Sequence, residues 1–344
     1  MQVGLVTGKE TVDLVEMPDP RPEPGKAVVD ISYCGICGTD VHAYQSGEPY
    51  NPAICGHEWM GHVSAAGAGV EVKEGDRVAI GMATACGQCA TCVRGDPSHC
   101  EAAFAGMVGI GPMAAPHGGF ASAIAIEAAR LYHVGPEISD ESAAILEPVT
   151  IAVHAVRRTG IRLGDSVVVV GAGPIGLLVL QCARAAGAGA CVLVEPQPTR
   201  RETGAALGAD HLVDPRETPD VAAAINAILG KAGADVVFEC AGLARTVEEV
   251  PAYVRRGGTV ALVGYPTGLS QISAAQWLAQ ELRVSTALGY VRDDFEVSKG
   301  LVADGRVDCG PLHTATVGLD GMAGAFAELA SEPEQIKILV DPRV

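Results

Sequence analysis

The apolar and polar positions of this 344-residue chain change rhythm near residue 150. Before that point apolar residues come in short stretches, such as Lys26 to Tyr33 (KAVVDISY) and Arg77 to Ile80, cut by Gly and Pro turns. Short β-branched runs bounded by turn formers predict strands, so this part reads as an irregular, mostly β domain. From Ser166 onward strand and helix patterns alternate. Ser166 to Val170 reads as a buried apolar strand, Ile175 to Ala186 as an apolar-rich helix and Cys191 to Glu195 as a second strand. Asp235 to Glu239 and Thr259 to Val263 are further short apolar runs with helix-like stretches between them. That alternation predicts an α/β domain with a parallel sheet covered by helices on both faces. After about residue 290 the pattern loosens again.

Length and composition narrow the class. A chain of this size exceeds one ordinary core, so two domains are expected. Apolar residues at 48% and charged residues at 19% fit a well-packed globular protein. The longest apolar run, Val167 to Leu180, is broken by Gly171, Gly173, Pro174 and Gly176. It falls short of the roughly 18 residues of a membrane helix. Met1 to Lys9 lacks a basic stretch followed by an apolar one, so a cytoplasmic protein with no membrane partner is expected. A net charge of −17 and the absence of a basic stripe argue against nucleic acid. Most of the 11 cysteines fall in the first 100 residues, which in such a chain reads first as metal ligation.

Cys86, Cys89, Cys92 and Cys100 form C-x-x-C-x-x-C-x7-C in a polar segment. Two-residue spacers let one tight loop supply consecutive thiolates to a tetrahedral zinc. An iron–sulfur cluster is the rival, but its fourth cysteine follows after three residues and precedes a Pro. Four thiolates leave no open position, so this metal is expected to hold a loop and do no chemistry.

Further along, the strand ending at Val170 runs into Gly171-Ala-Gly173-Pro174-Ile175-Gly176 and then a helix. In that setting G-x-G-x-x-G predicts a dinucleotide site. Gly171 permits the tight turn, Gly173 lets the backbone approach the pyrophosphate, and Gly176 lets the helix pack on the strand. Glu195 ends the next strand, 24 positions after Gly171, near the roughly 20 expected for the acid that holds the ribose. Its charge opposes a 2′-phosphate and favours NAD over NADP, whereas Arg200 and Arg201 are the residues able to accept that phosphate.

Two more segments carry ligand types: Cys34-Gly-Ile-Cys37-Gly-Thr39-Asp40-Val-His42 and Cys55-Gly56-His57-Glu58. Taken alone, Cys34 and Cys55 read as buried small apolar residues and His42 as a solvated loop histidine. Cys34 and Cys37 also form a C-x-x-C pair, without the βαβ setting of a redox motif.

Taken in order, G-I-C-G-T-D-x-H, G-H-E-x-x-G (Gly56 to Gly61), G-D-R-V (Gly75 to Val78) and the four-cysteine loop resemble the zinc-containing medium-chain alcohol dehydrogenases, over essentially the whole chain. The resemblance implies a β-rich GroES-like catalytic domain over 1–148 and 290–344, and a doubly wound Rossmann domain over 149–289. It implies that Cys37 and His57 are ligands of a catalytic zinc and that Asp40 orients a liganding imidazole. By the same resemblance Thr39 and His42 form a proton relay, and Glu58 is the acid beside the metal. The stretch Glu147-Pro148-Val-Thr-Ile-Ala-Val-His154-Ala resembles the polyol, threonine and butanediol dehydrogenase branch, where the Glu faces the metal. Glu147 is thus expected to ligate zinc, directly or through water; as a bare residue it also reads as a helix-start acid.

Together these features predict about two zincs per chain, NAD as cofactor and a secondary alcohol or ketone as substrate; the resemblance implies a homo-oligomer, tetramer or dimer. A polyol, vicinal diol, cyclitol or hydroxy amino acid suits that chemistry. The rivals are a non-catalytic zinc-stabilised NAD sensor and a zinc-free quinone reductase, neither of which needs the full ligand set.

Overall fold

A computed structural model describes residues 1–47, 56–81, 85–105, 117–266, 268–331 and 334–344. Cys55 lies outside the described residues. Two compact units form. The first holds Met1–Glu147, Tyr290–Lys299 and His313–Val344; the second holds Pro148–Gly289 and Gly300–Leu312. Gly300–Leu312 therefore packs with the second unit.

In the first unit the strands are β1 (Gln2–Gly8), β2 (Thr11–Glu16), β3 (Lys26–Gly35), β4 (Glu58–Ala66), β5 (Arg77–Ile80), β6 (Ala123–Glu127) and β7 (Leu131–His133). The second unit has β8 (Val167–Val170), β9 (Cys191–Val194), β10 (His211–Val213), β11 (Ala234–Glu239), β12 (Val254–Leu262) and β13 (Arg283–Thr286). The chain then returns to the first unit with β14 (His313–Val317) and β15 (Lys337–Val340).

The first unit's main sheet runs β14-β15-β3-β4-β5-β7, with β6 pairing β3 and a separate β1–β2 hairpin. Its long central strand β3 is buried along most of its length and shifts register twice against β4, as bulged β-rich folds do. The register matters for function. Gly35 faces Glu58 across β3–β4 and Leu339 across β3–β15. The end of β3, the start of β4 and the start of β15 therefore meet at one point. Below it, Val29, Ile31, Trp59, Phe120, Ile124 and Phe326 build the core. Phe326 lies 5.5 Å from the Tyr44 ring and 6.0 Å edge-on from Phe120.

The second unit is a six-stranded parallel sheet, ordered β10-β9-β8-β11-β12-β13. Counted from β8 this is 3-2-1-4-5-6, the doubly wound dinucleotide-binding order. The four valines of β8 are all buried, as a strand between two neighbours and under helices must be. Helices Pro174–Ala185, Pro198–Ala206 and Val221–Leu229 pack on the sheet. No helix among the described residues is long and apolar enough to cross a membrane.

Phe326 belongs to the returning C-terminal segment, so its truncation measures how much that segment stabilises the first unit. Phe326→Ala should cost about 3–5 kcal/mol by opening a cavity beneath Tyr44 and Phe120. The readout is the urea midpoint of the first unit; an unchanged midpoint would contradict its place in the core.

Candidate active site

Cys37 follows β3 directly and precedes the helix Gly38–Ser46, so the motif that looked like a loop is a strand-to-helix turn. Its backbone N–H donates to Asp40 Oδ2 at 3.0 Å. His57 immediately precedes β4. The register already described brings it to Cys37, and one donor atom each from Cys37, His57 and Glu58 lies within 4.8 Å of the others. Asp40, buried below, uses one oxygen on the Cys37 turn while the other lies 3.6 Å from His57 Nδ1. Burial alone would lower the His57 pKa, but the Cys37 and Asp40 groups outweigh it and raise the pKa well above the usual value.

A thiol, an imidazole and a carboxylate are donors that zinc accepts. The site also carries unmet valence. Thr39 Oγ1, His42 Nδ1 and His57 Nδ1 are buried with no hydrogen-bond partner. Buried polar atoms left unpaired are costly, so two on the helix after Cys37 and one on His57 fit a site completed by ligands. Burial also lowers the His42 pKa, which favours its neutral ring.

Glu147 sits in the first turn of the helix Leu146–Thr159 and is buried. It does not join the three-donor group, but it stands close by. Burial pushes its carboxyl up to about 7, although His57, Lys337 and a hydrogen bond from Tyr290 act the other way.

In the cysteine loop, all four donor atoms of Cys86, Cys89, Cys92 and Cys100 lie within 4.8 Å of one another. Backbone N–H groups point at the sulfurs: Cys86 to Cys100 Sγ and Cys89 to Cys86 Sγ, both at 3.3 Å. The Thr91 hydroxyl 3.0 Å from Cys89 Sγ and the Cys92 N–H lower the Cys89 thiol to about 6, so thiolate character is built in.

At the dinucleotide motif, Gly173 N-caps the helix Pro174–Ala185, whose first residues are Pro174, Ile175 and Gly176. A Cβ on Gly176 would lie against the Gly171 carbonyl, which fixes glycine there. Glu195 is buried and turned into this motif: Oε2 accepts from Ala172 N–H at 2.7 Å and Oε1 from Gln197 N–H at 2.8 Å. Arg201 is occupied by Asp214 at 2.8 Å and by the Glu195 carbonyl at 2.8 Å. Arg200 is largely buried, which lowers its pKa, with Glu195 opposing.

Comparison with known proteins agrees with this geometry. Residues 23–136 match the alcohol dehydrogenase GroES-like domain and residues 174–303 the zinc-binding dehydrogenase domain. Over 339 residues the chain is 32% identical to 2-dehydro-3-deoxy-L-galactonate 5-dehydrogenase of Pseudoalteromonas atlantica, covering 97% of this chain and 96% of that one. The chain belongs to the zinc-dependent medium-chain alcohol dehydrogenase family. The structure of 2R,3R-butanediol dehydrogenase from Bacillus subtilis superposes with a TM-score of 0.87 at 31% identity, covering 99% of both chains. A candidate zinc-binding dehydrogenase from Sinorhizobium meliloti, solved with NADP, gives 0.88 at 29% identity over 99% of both. The protein is thus an alcohol dehydrogenase that uses zinc and a nicotinamide dinucleotide.

One residue of the dehydrogenase's site escaped the sequence reading. Lys337 opens β15, only 2% exposed, and donates to Glu58 Oε2 at 2.6 Å and to the Ile36 carbonyl at 2.9 Å. Burial would lower its pKa, but Glu58 and the neighbouring anions raise it. The one available signal is a lysine heading the apolar run K-I-L-V, and its partner is 279 residues away. Lys337→Met should leave Glu58 charged and unpaired and cost about 3–5 kcal/mol. Denaturant unfolding checks this, and a loss below about 1 kcal/mol would show that Glu58 finds other partners.

Proposed function

We propose that this dehydrogenase interconverts a secondary alcohol and its ketone on a polyol, vicinal diol, cyclitol or hydroxy amino acid, with NAD(H) preferred over NADP(H). The observation that carries the reading is the Cys37, His57 and Glu58 group, with unpartnered polar atoms of Thr39 and His42 on the helix that follows Cys37. Relatives acting on a sugar-acid carbon and on butanediol share the chain along nearly its whole length, which supports this substrate class.

Cys37, His57 and a carboxylate from Glu58 or Glu147 would hold the catalytic zinc, and the four-cysteine loop a second one. When bound, the catalytic zinc supplies Lewis-acid polarisation of the substrate oxygen, and the dinucleotide supplies or accepts the hydride. Thr39 Oγ1 would accept the alcohol proton as it passes its own to the neutral His42 ring, which leads to solvent. Asp40 would hold the His57 ring in one orientation through Nδ1. Glu195 would take the ribose hydroxyls and repel a 2′-phosphate, and Arg201 is engaged by Asp214.

The same reading takes the protein to be a cytoplasmic homo-oligomer, tetramer or dimer. The outer strand β13 supports this, because apolar Leu278 and Leu288 beside it are 80% and 65% exposed. An exposed sheet edge with apolar neighbours favours pairing with another copy.

Turnover of a diol and polyol panel, followed through NADH absorbance, tests the substrate class; no activity on any member with zinc loaded would reject it. Glu147→Ala should cut turnover about 10–100-fold and loosen the catalytic zinc. The four-cysteine zinc should stay, so metal content falls from about two per chain toward one under chelator challenge. Full activity with both metals retained would remove Glu147 from the site. Glu195→Ser should relax cofactor choice by removing a charge repulsion. Equal efficiency of the starting protein with NADP and NAD would sink the proposed preference.

A further inference from the structure

Glu239 ends β11 with a fully buried side chain that none of the groups above uses. Its register partners are Val170 at the end of β8 and Leu262 at the end of β12. It thus stands at the carboxyl edge of the sheet, between the two strands that flank it. Its Oε1 accepts from Ala241 N–H and Gly242 N–H, both at 3.0 Å, and lies 2.7 Å from the Thr246 hydroxyl, whose single proton it shares with the Leu243 carbonyl at 2.8 Å. Its backbone carbonyl accepts two more, from Val263 and Gly264 N–H, each at 2.9 Å. One residue therefore pins both the turn leaving β11 and the turn leaving β12. Those turns also touch, since a Cβ on Gly264 would fall against Gly242 N.

The second oxygen is the informative one. Glu239 Oε2 is buried and has no hydrogen-bond partner. Burial pushes this carboxyl above the usual range, and the Thr246 hydroxyl with the Gly242, Ala241 and Leu243 N–H groups opposes that only in part. Leaving one oxygen of a buried carboxyl without a partner costs stability. Such a cost is kept where it secures something else, and the position says what. In a sheet of this order the dinucleotide crosses the carboxyl edge at the switch point, here between β8 and β11. Glu195, on the β9 side, marks the adenosine half. The turns after β11 and β12 lie on the other side of the switch and border the nicotinamide half.

We infer that Glu239 is a positioning residue for the nicotinamide half of the cofactor, holding the turns after β11 and β12 in one joint arrangement. The inference rests on the dinucleotide reading of this unit. It demands an asymmetry: loss of the clamp weakens ligands that reach across the switch point and spares those that stop at the adenosine side.

The test uses the full-length, zinc-loaded protein, with NADH titrated by its fluorescence and AMP by competition. Glu239→Ala should weaken NADH about tenfold, the worth of roughly one lost hydrogen-bonded clamp, and leave AMP within about twofold. Glu239→Gln keeps an acceptor at Oε1 and should recover most of the NADH affinity. Unchanged NADH affinity in Glu239→Ala, or a parallel loss of AMP, would overturn the assignment. If the alanine variant does not fold, Thr246→Val and Thr246→Ser decide. The valine should weaken NADH about threefold with AMP unmoved, the serine should not, and equal NADH binding by both overturns the clamp. A parent protein that binds neither NADH nor AMP would instead overturn the dinucleotide reading itself.

Discussion

The arrangement of the first unit turns on the place where β4, β3 and β15 meet, with Gly35 facing Glu58 on one side and Leu339 on the other. That register sets Cys37, two residues past β3's paired end, beside His57, one residue before β4. It also sets Lys337 against Glu58, two buried and oppositely charged side chains 2.6 Å apart. A buried ion pair seldom adds stability over an apolar pair of the same volume, because desolvation consumes the attraction. Its presence here makes sense through its surroundings. The Cys37 thiol and the Asp40, Glu58 and Glu147 carboxyls crowd one buried region, and Lys337 is the cation that offsets them. Strand register delivers Glu58 and Lys337, and the starts of two helices deliver Asp40 and Glu147.

The second unit applies a related device twice. Glu195 and Glu239 both stand at the carboxyl ends of neighbouring parts of the sheet, and both bend their carboxyls onto backbone N–H groups of the following turns. Each carboxyl thereby ties the end of its strand to the turn that follows and stiffens that turn. The same glycines then have a clear purpose. At Gly176 a side chain would collide with the Gly171 carbonyl, so the helix can approach the turn only because no Cβ is there.

Much of this was legible in the sequence because it is local. Cys37, Thr39, Asp40 and His42 share one turn, the four cysteines share one loop, and G-x-G-x-x-G lies between a strand and a helix. Four of the five spans predicted for the parallel-sheet unit follow the apolar runs to within a residue or so, while β10 and β13 carry too little apolar signal to be predicted. β12 begins at Val254, not Thr259, because Arg255, Arg256, Gly257 and Gly258 carry no apolar signal, and the pairing shifts register there. What stayed hidden is non-local. Lys337 looks like a surface lysine until β15 pairs with β3. Glu239 looks like the polar end of an apolar run until the turns fold back on it. Gly300–Leu312 packs with the second unit through contacts such as Gln181 with the Asp308 backbone, which no local pattern announces.

The same distinction separates the two acids nearest the candidate zinc donors. Glu58 and Glu147 are chemically near-equivalent, and the sequence singles out Glu147 through the motif around it. Their restraints differ. Glu58 is locked by a lysine on an adjacent strand and shares the 4.8 Å group with Cys37 and His57. Glu147 comes from a helix start, receives a hydrogen bond from Tyr290 and is pushed by burial toward neutrality. A carboxylate clamped by a buried ammonium is held by a charge-assisted hydrogen bond, whereas one that accepts from a phenol has a weaker, neutral donor. Glu58 is therefore the more fixed of the two acids and Glu147 the less constrained. That difference follows from which element carries each acid and what stands behind it.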